Sequence, residues 1–385
     1  MSGSKKHPTD EGPIALADFG WFYAGGEYEP SDGGYLLRGA MYVERYVPQR
    51  MTQPYPVVMI HGGGQTGTNF TGTPDGRRGW AHDFLRAGYT VYVVDQPARG
   101  RSGQSPSFYG DYGRRKGGNL PVEERFTAPE TVNSWPQAKR HTRWPGTGQK
   151  GDSIFHQFFA SQVESLNDAD EIERLNRDAG AALLDEIGPA ILLVHSQSGP
   201  FGWLIADARP SLVKGIVAIE PNGPPFFDVE FKGAPDWFEF SAQQTRKWGV
   251  TRIPMTFDPP ASKPEDIERV LEDAPPSPDH VRCYIQAEPA RQMPTLQGIP
   301  ILILTAEASY HASYDHATSK FLTQAGVTHD FVRARRTITR SPTFFSTGCR
   351  ASSDTSLVLH EFFVRFSSGL LARNTLVCHT PPQLS

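Results

Sequence analysis

Five short apolar runs, each closed by a turn or a polar residue, limit what this chain can fold into. They occupy 56–60 (PVVMI), 90–95 (TVYVVD), 190–194 (AILLV), 215–219 (GIVAI) and 301–306 (ILILTA). Runs of five or six residues are short for buried helices and suit strands covered on both faces. Helical patterns lie between or beyond them: 80–87 closed by Gly88, 168–186 stopped by Gly188-Pro189, 201–210, and 315–324. This alternation predicts an α/β class fold, a mostly parallel central sheet with helices on both faces. The stretch 36–48, rich in Tyr and Val, predicts an opening strand or hairpin, and 328–334 a last strand.

Composition enters as a constraint on partners and loops. The 385 residues hold 37 Gly and 33 Pro, which predicts Pro-studded loops around one large domain rather than two domains. Residues 1–33 read as an N-terminal extension and 34–333 as the folded domain. Residues 103–150 form an aromatic surface excursion, and 224–297 a Pro-rich cap insertion with one helical stretch at 264–272. A net charge of −4 implies no basic face, so neither nucleic acid nor an anionic membrane is an expected partner. The longest purely aliphatic runs have four residues, too few to span a bilayer. The lysine-bearing start lacks an apolar leader-like stretch, and Cys283, Cys349 and Cys378 show no metal-ligand spacing. A cytoplasmic location, no metal and no organic cofactor are the resulting expectations.

The chemistry concentrates at two turns. Val194-His195-Ser196-Gln197-Ser198-Gly199 places a serine between a buried strand and a helix, with small residues after it. A nucleophile elbow needs that arrangement, because the strained turn lifts the Ser hydroxyl above the sheet. Val194 stands where the G-x-S-x-G pattern has its first glycine. Ser196 is the expected nucleophile and Ser198 its rival; a Ser-rich strand end also serves as a plain turn and helix cap. About 130 residues earlier lies His61-Gly62-Gly63-Gly64. Glycines there let backbone N–H groups approach a developing oxyanion, and Gly63, Gly64 and Gln197 are the expected donors. The same loop alone fits a tight turn or a phosphate cradle, but no Walker lysine and no G-x-G-x-x-G follows. His61 and His195 read as packing histidines. Glu220 ends the strand 24 residues after Ser196, where a carboxylate orients and charges a histidine.

Together, PVVMIHGGGQTGTNF, TPDGRRGW, YTVYVVDQPARGRS, VHSQSGPFGW and VAIEPNGPPF resemble the esterase 713-like branch of the α/β hydrolases over residues 34–333. The resemblance implies the α/β-hydrolase fold and a Ser-His-Glu triad whose acid follows the sixth strand, matching Glu220. It also implies an oxyanion hole at Gly63, Gly64 and Gln197, and hydrolysis of carboxylic esters.

One departure stands out. The family supplies its histidine from a loop just after the last strand, and here no His lies between His329 and His360. His311, His316 and His360 remain the candidate bases. Composition changes at the same place: residues 334–385 carry six Arg against Asp354 and Glu361, a net +4, so the rest carries −8. An atypical tail whose coding frame has slipped would account for both. The expected function is serine hydrolysis of a small or medium ester or lactone. The alternatives are an α/β-hydrolase-fold protein impaired by loss of its base, and a biosynthetic enzyme using the same elbow for cyclisation or lyase chemistry. Arg99 and Arg101 would meet a carboxylate substrate or form surface salt bridges. Phe226-Phe227 and Trp237-Phe238 would line an acyl pocket or pack the core.

Overall fold

The computed structural model describes residues 12–113 and 118–334 and assembles eight strands into one sheet. They are β1 (Leu16–Ala24), β2 (Met41–Pro48), β3 (Val57–Ile60), β4 (Val91–Asp95), β5 (Ala190–His195), β6 (Val213–Ile219), β7 (Ile301–Ala306) and β8 (Asp330–Ala334). Their order is β1-β2-β4-β3-β5-β6-β7-β8. β2 is antiparallel to β1 and β4, and all pairings from β4 to β8 are parallel. Helices α1 (Trp80–Arg86), α2 (Ser153–Ala160), α3 (Ala169–Ile187), α4 (Gly199–Ala208) and α5 (Asp315–Gln324) follow in chain order.

Alternation along the strands explains why the apolar runs are continuous. Val58, Ile60, Leu192, Val194, Ile216 and Ala218 face a core shared with α3 and α4. Val57, Met59, Ile191, Leu193, Val217 and Ile219 face a second core covered by Trp80 and Phe84 of α1. Both faces are therefore dry, which is what buried parallel strands require. α3 starts where Asp168 accepts from the N–H groups of Asp170 and Glu171, both at 3.0 Å, and ends at Gly188 with φ +80°. A Cβ at Gly180 would lie 2.3 Å from Ile205, so this glycine permits the close crossing of α3 on α4.

Two expectations change. Part of the stretch read as an extension supplies β1, which pairs with β2 from Leu16 to Ala24 and forms one edge of the sheet. The helix expected at 264–272 is a single 3-10 turn, Pro264–Asp266, followed by a strand, Arg269–Leu271, paired with Tyr284–Gln286. The Asp266 carboxylate accepts from the Ser262 and Lys263 N–H groups and so caps the start of the turn, and the pairing of Arg269–Leu271 with Tyr284–Gln286 takes the following residues out of helix. Elsewhere the 224–297 segment is loop plus a ribbon of Phe227–Phe231 with Phe238–Gln244. In the described part of the excursion, Val122 and Trp144 form a small core with Phe155 and Phe158 of α2. The 334–385 tail lies, beyond Ala334, outside the described residues.

Register fixes where chemistry can gather. Ile60 pairs with Val94 and Val194, and Ile219 with His195 and Leu304. The residues following β3, β4, β5, β6 and β7 thus share the carboxyl edge of the sheet, where α/β folds place their sites.

Candidate active site

Ser196 follows β5 and carries φ +51°, a left-handed backbone that a non-glycine residue adopts at a cost of about 1–3 kcal/mol. Its neighbours hold it there. Ser198 is fully buried; its Oγ donates to Ile60 O at 2.7 Å and accepts from His195 N at 2.7 Å, locking the turn to β3. Those bonds and its burial commit the Ser198 hydroxyl to the turn, while Ser196 and Gln197 remain partly exposed. Asn222 N donates to Ser196 O at 2.8 Å, and a Cβ at Gly199 would sit 2.5 Å from Pro221. The small residue at this turn is thus a steric demand of the chain after β6.

The glycine loop lies against that turn. A Cβ on Gly62 would fall 2.8 Å from His195 Nδ1 and 3.2 Å from Ser196 Cβ, and one on Gly63 3.7 Å from Gln197 Oε1. Gly64 has φ +68°, and its carbonyl accepts from Val163 N at 2.9 Å. His61 is structural: Gln96 N donates to Nε2 at 3.1 Å, so Nδ1 carries the proton and donates to Gly62 O at 2.9 Å. Burial pushes the His61 and His195 imidazoles down to about 3, which keeps both neutral. Arg99, expected to face substrate or solvent, is instead buried under the loop. Its Nη1 donates to Gly62 O at 3.2 Å and to Gln197 Oε1 at 3.0 Å. Arg101 binds Asp95 and Glu44.

The acid side is built differently. Glu220 follows β6, is buried, and carries φ +46°, so it shares with Ser196 the strained backbone found at few described non-glycine positions. Ala306 N donates to its Oε1 at 3.1 Å. Burial pushes its carboxyl up to about 7, against the pull of His311 and of that N–H. Among the described residues no histidine hydrogen-bonds Glu220. His311, buried in the 3-10 turn Tyr310–Ser313 after β7, holds Asp315 Oδ1 through Nδ1 at 3.0 Å. Asp315 in turn accepts from Thr305 Oγ1 at 2.5 Å. His316 points elsewhere, with Nε2 on Glu272 at 3.1 Å, and His360 lies outside the described residues.

Tyr310 and Trp135 are the residues that sequence reasoning missed. Burial pushes the Tyr310 phenol up to about 12, while the Arg125 charge and the nearby Ser196 hydroxyl pull it down. Its ring meets Trp135 at 5.9 Å, Phe126 at 6.2 Å and Phe231 at 5.8 Å, with the Arg125 guanidinium 5.0 Å from its centroid. The excursion and the cap thus converge near Ser196 through aromatic rings. Phe226, expected either to line an acyl pocket or to pack the core, is buried against Phe321 at 5.8 Å. One donor set resembles a metal site: Glu272, Cys283 and His316 have ligand atoms within 4.8 Å of one another. Its carboxylate already binds His316 and Lys320, and burial pushes the Cys283 thiol up, against metal binding.

A parallel sheet with a strained serine between a central strand and the following helix defines the α/β-hydrolase architecture. The chain belongs to the alpha/beta hydrolase fold family, which matches residues 55–251. It is 46% identical over 312 residues to a protein named "Probable secreted lipase phiG" from Fungal sp. (strain ATCC 74256), covering 81% of this chain and 80% of that protein. Its fold is similar to a structure described as "The Atomic Resolution Structure of a Novel Bacterial Esterase". That match has a TM-score of 0.56 and 19% identity, over 94% of this chain and 99% of the other.

Proposed function

We propose that the protein is a serine hydrolase that cleaves a small-molecule carboxylic ester or lactone through an acyl-enzyme on Ser196. The observation that carries this reading is the turn itself: Ser196 is strained and partly exposed, while Ser198 is buried and bonded on both sides. The fungal relative's name, a lipase, agrees with ester chemistry. The aromatic wall around Tyr310 favours an apolar group on the substrate.

In the first half-reaction Ser196 Oγ bonds to the carbonyl carbon and its proton passes to an imidazole. The carbonyl electron pair moves onto oxygen, where the N–H groups of Gly63, Gly64 and Gln197 receive it. The tetrahedral adduct then expels the alkoxide, which takes the proton back. Water repeats the sequence and frees the acid. Of the described histidines, His311 is assigned the base role: it stands near enough to Glu220 to pull its carboxyl down, and Asp315 holds its Nδ1, leaving Nε2 for the transfer. Glu220 stabilises the imidazolium that forms. A second reading, a fold with impaired catalysis, rests on the absence of a histidine bonded to Glu220 among the described residues.

Hydrolysis of p-nitrophenyl acetate and butyrate by wild type and Ser196→Ala separates the two. The first reading expects turnover that vanishes in the variant; equal rates in both proteins would refute it. Cell location is a separate question. No helix among the described residues is long and apolar enough to cross a membrane. The expected cytoplasmic location stands against the relative's name, which calls that protein secreted. Assaying the esterase in cells and in medium decides between them.

A further inference from the structure

We propose that Arg99 is a positioning residue that sets the oxyanion hole by tying its two halves to one guanidinium nitrogen. This rests on the Ser196 reading. Arg99 leaves the turn after β4 just beyond Ala98, itself at φ +60°, and its side chain is 2% exposed. Among the described residues it forms no ion pair. Asp95, whose charge it feels, is occupied by Gly67 N at 2.7 Å and by Arg101 N and Nε, both at 2.9 Å. The buried cation is committed to two uncharged acceptors instead, Gly62 O and Gln197 Oε1.

Peptide planarity makes those bonds consequential. In a trans peptide the C=O and the following N–H point in opposite directions. Two donors, Arg99 Nη1 and His61 Nδ1, hold the Gly62 carbonyl, so the Gly63 N–H is aimed away from them. That loop already abuts the nucleophile, since a Cβ on Gly62 would crowd Ser196 Cβ. The same Nη1 anchors the Gln197 side chain, whose Oε1, Cβ and Cδ lie against Gly63. Gly63 and Gln197, donors from segments about 130 residues apart, are therefore set by one side chain from a third. Without it the Gly62–Gly63 peptide keeps only the His61 bond and can rotate, which withdraws the N–H from the oxyanion. A fixed cation behind both donors also favours negative charge on the tetrahedral intermediate more than on the neutral ester.

The test compares Arg99→Met, Arg99→Lys and Gln197→Met with wild type, on rates normalised to fluorophosphonate-titrated sites. The expected result for Arg99→Met is a fall in kcat of roughly 10–100-fold with KM changed by less than about threefold, in line with a displaced oxyanion donor. Inhibition by phenylboronic acid, which mimics the tetrahedral state, should weaken by the same factor. Arg99→Lys should recover part of the loss, and Gln197→Met, which keeps its backbone N–H, should lose a smaller share. Arg99→Met and Gln197→Met together should cost less than the product of the two, because both break one tie. Unchanged kcat per titrated site in Arg99→Met, or a loss confined to KM or to the folded fraction, would overturn the proposal. If Arg99→Met does not fold, the Arg99→Lys and Gln197→Met boronate constants decide alone, and unchanged values overturn it. Turnover surviving in Ser196→Ala would instead mark failure of the serine reading.

Discussion

The two halves of the site are made in contrasting ways. At the ends of β3, β4 and β5, every proposed element is interlocked: Ser198 ties the elbow to Ile60, Gly62 packs on Ser196, and Arg99 joins Gly62 to Gln197. At the ends of β6 and β7, Glu220 holds a backbone N–H and no histidine among the described residues, while His311 is held by Asp315. The difference is that the proposed oxyanion loop is held by turns and one buried cation. Proton transfer, as proposed, runs instead through His311, which is bonded to Asp315 and not to Glu220.

Replacing His311 with Gln tests the weaker half most severely. As base, its loss should lower kcat by roughly 10⁴–10⁶-fold, the range for a triad histidine. A drop under tenfold would move the base to the chain after residue 334. Glu220→Gln comes next, with an expected loss of roughly 10³–10⁴-fold, as for a triad carboxylate.

The same residue makes a stability prediction. The folded carboxyl titrates near 7, above its usual 4.5, so the folded state binds more protons and stability falls as pH rises from 4.5 to 7. At about 1.4 kcal/mol per pKa unit this amounts to roughly 3 kcal/mol by pH 8. Glu220→Gln lacks the titrating group, so its denaturation midpoint relative to wild type should be higher at pH 8 than at pH 5. Equal differences at both pH values would show that the acid is already paired.

On the interlocked side, Gly62→Ala should cost about 10²-fold in kcat, because its methyl would push on His195 and Ser196. The smallest effect is expected from Trp135→Phe, which loses the 3.1 Å bond from Nε1 to Ala308 O. A loss of about 1 kcal/mol in stability and a few-fold rise in KM for longer acyl esters should follow.

The sequence pattern revealed the interlocked half far better than the other. Strands β3 to β7 announce themselves as apolar runs, and the Ser and Gly turns by small residues at fixed offsets, because both signals are local. Arg99 and Trp135 make contacts that no local pattern carries: their partners Gln197 and Ala308 lie 98 and 173 positions away. β1 escaped notice because four of its residues, Leu16, Phe19, Trp21 and Tyr23, are exposed aromatic or aliphatic side chains that break the alternation of a half-buried strand. At 264–272 a helical spacing misled: Asp266 caps a helix-like start, but ribbon pairing with Tyr284–Gln286 claims Arg269–Leu271. The histidine gap was readable, yet His311 carries no local sign of its pairing with Asp315 beyond an i, i+4 spacing common in any helix start.

The most direct test of the account is fluorophosphonate labelling followed by peptide mapping of the intact chain. The account predicts one adduct, on Ser196, formed in wild type, slowed in Arg99→Met and absent in Ser196→Ala. Labelling on Ser198 or any other residue, or labelling that persists in Ser196→Ala, would contradict it.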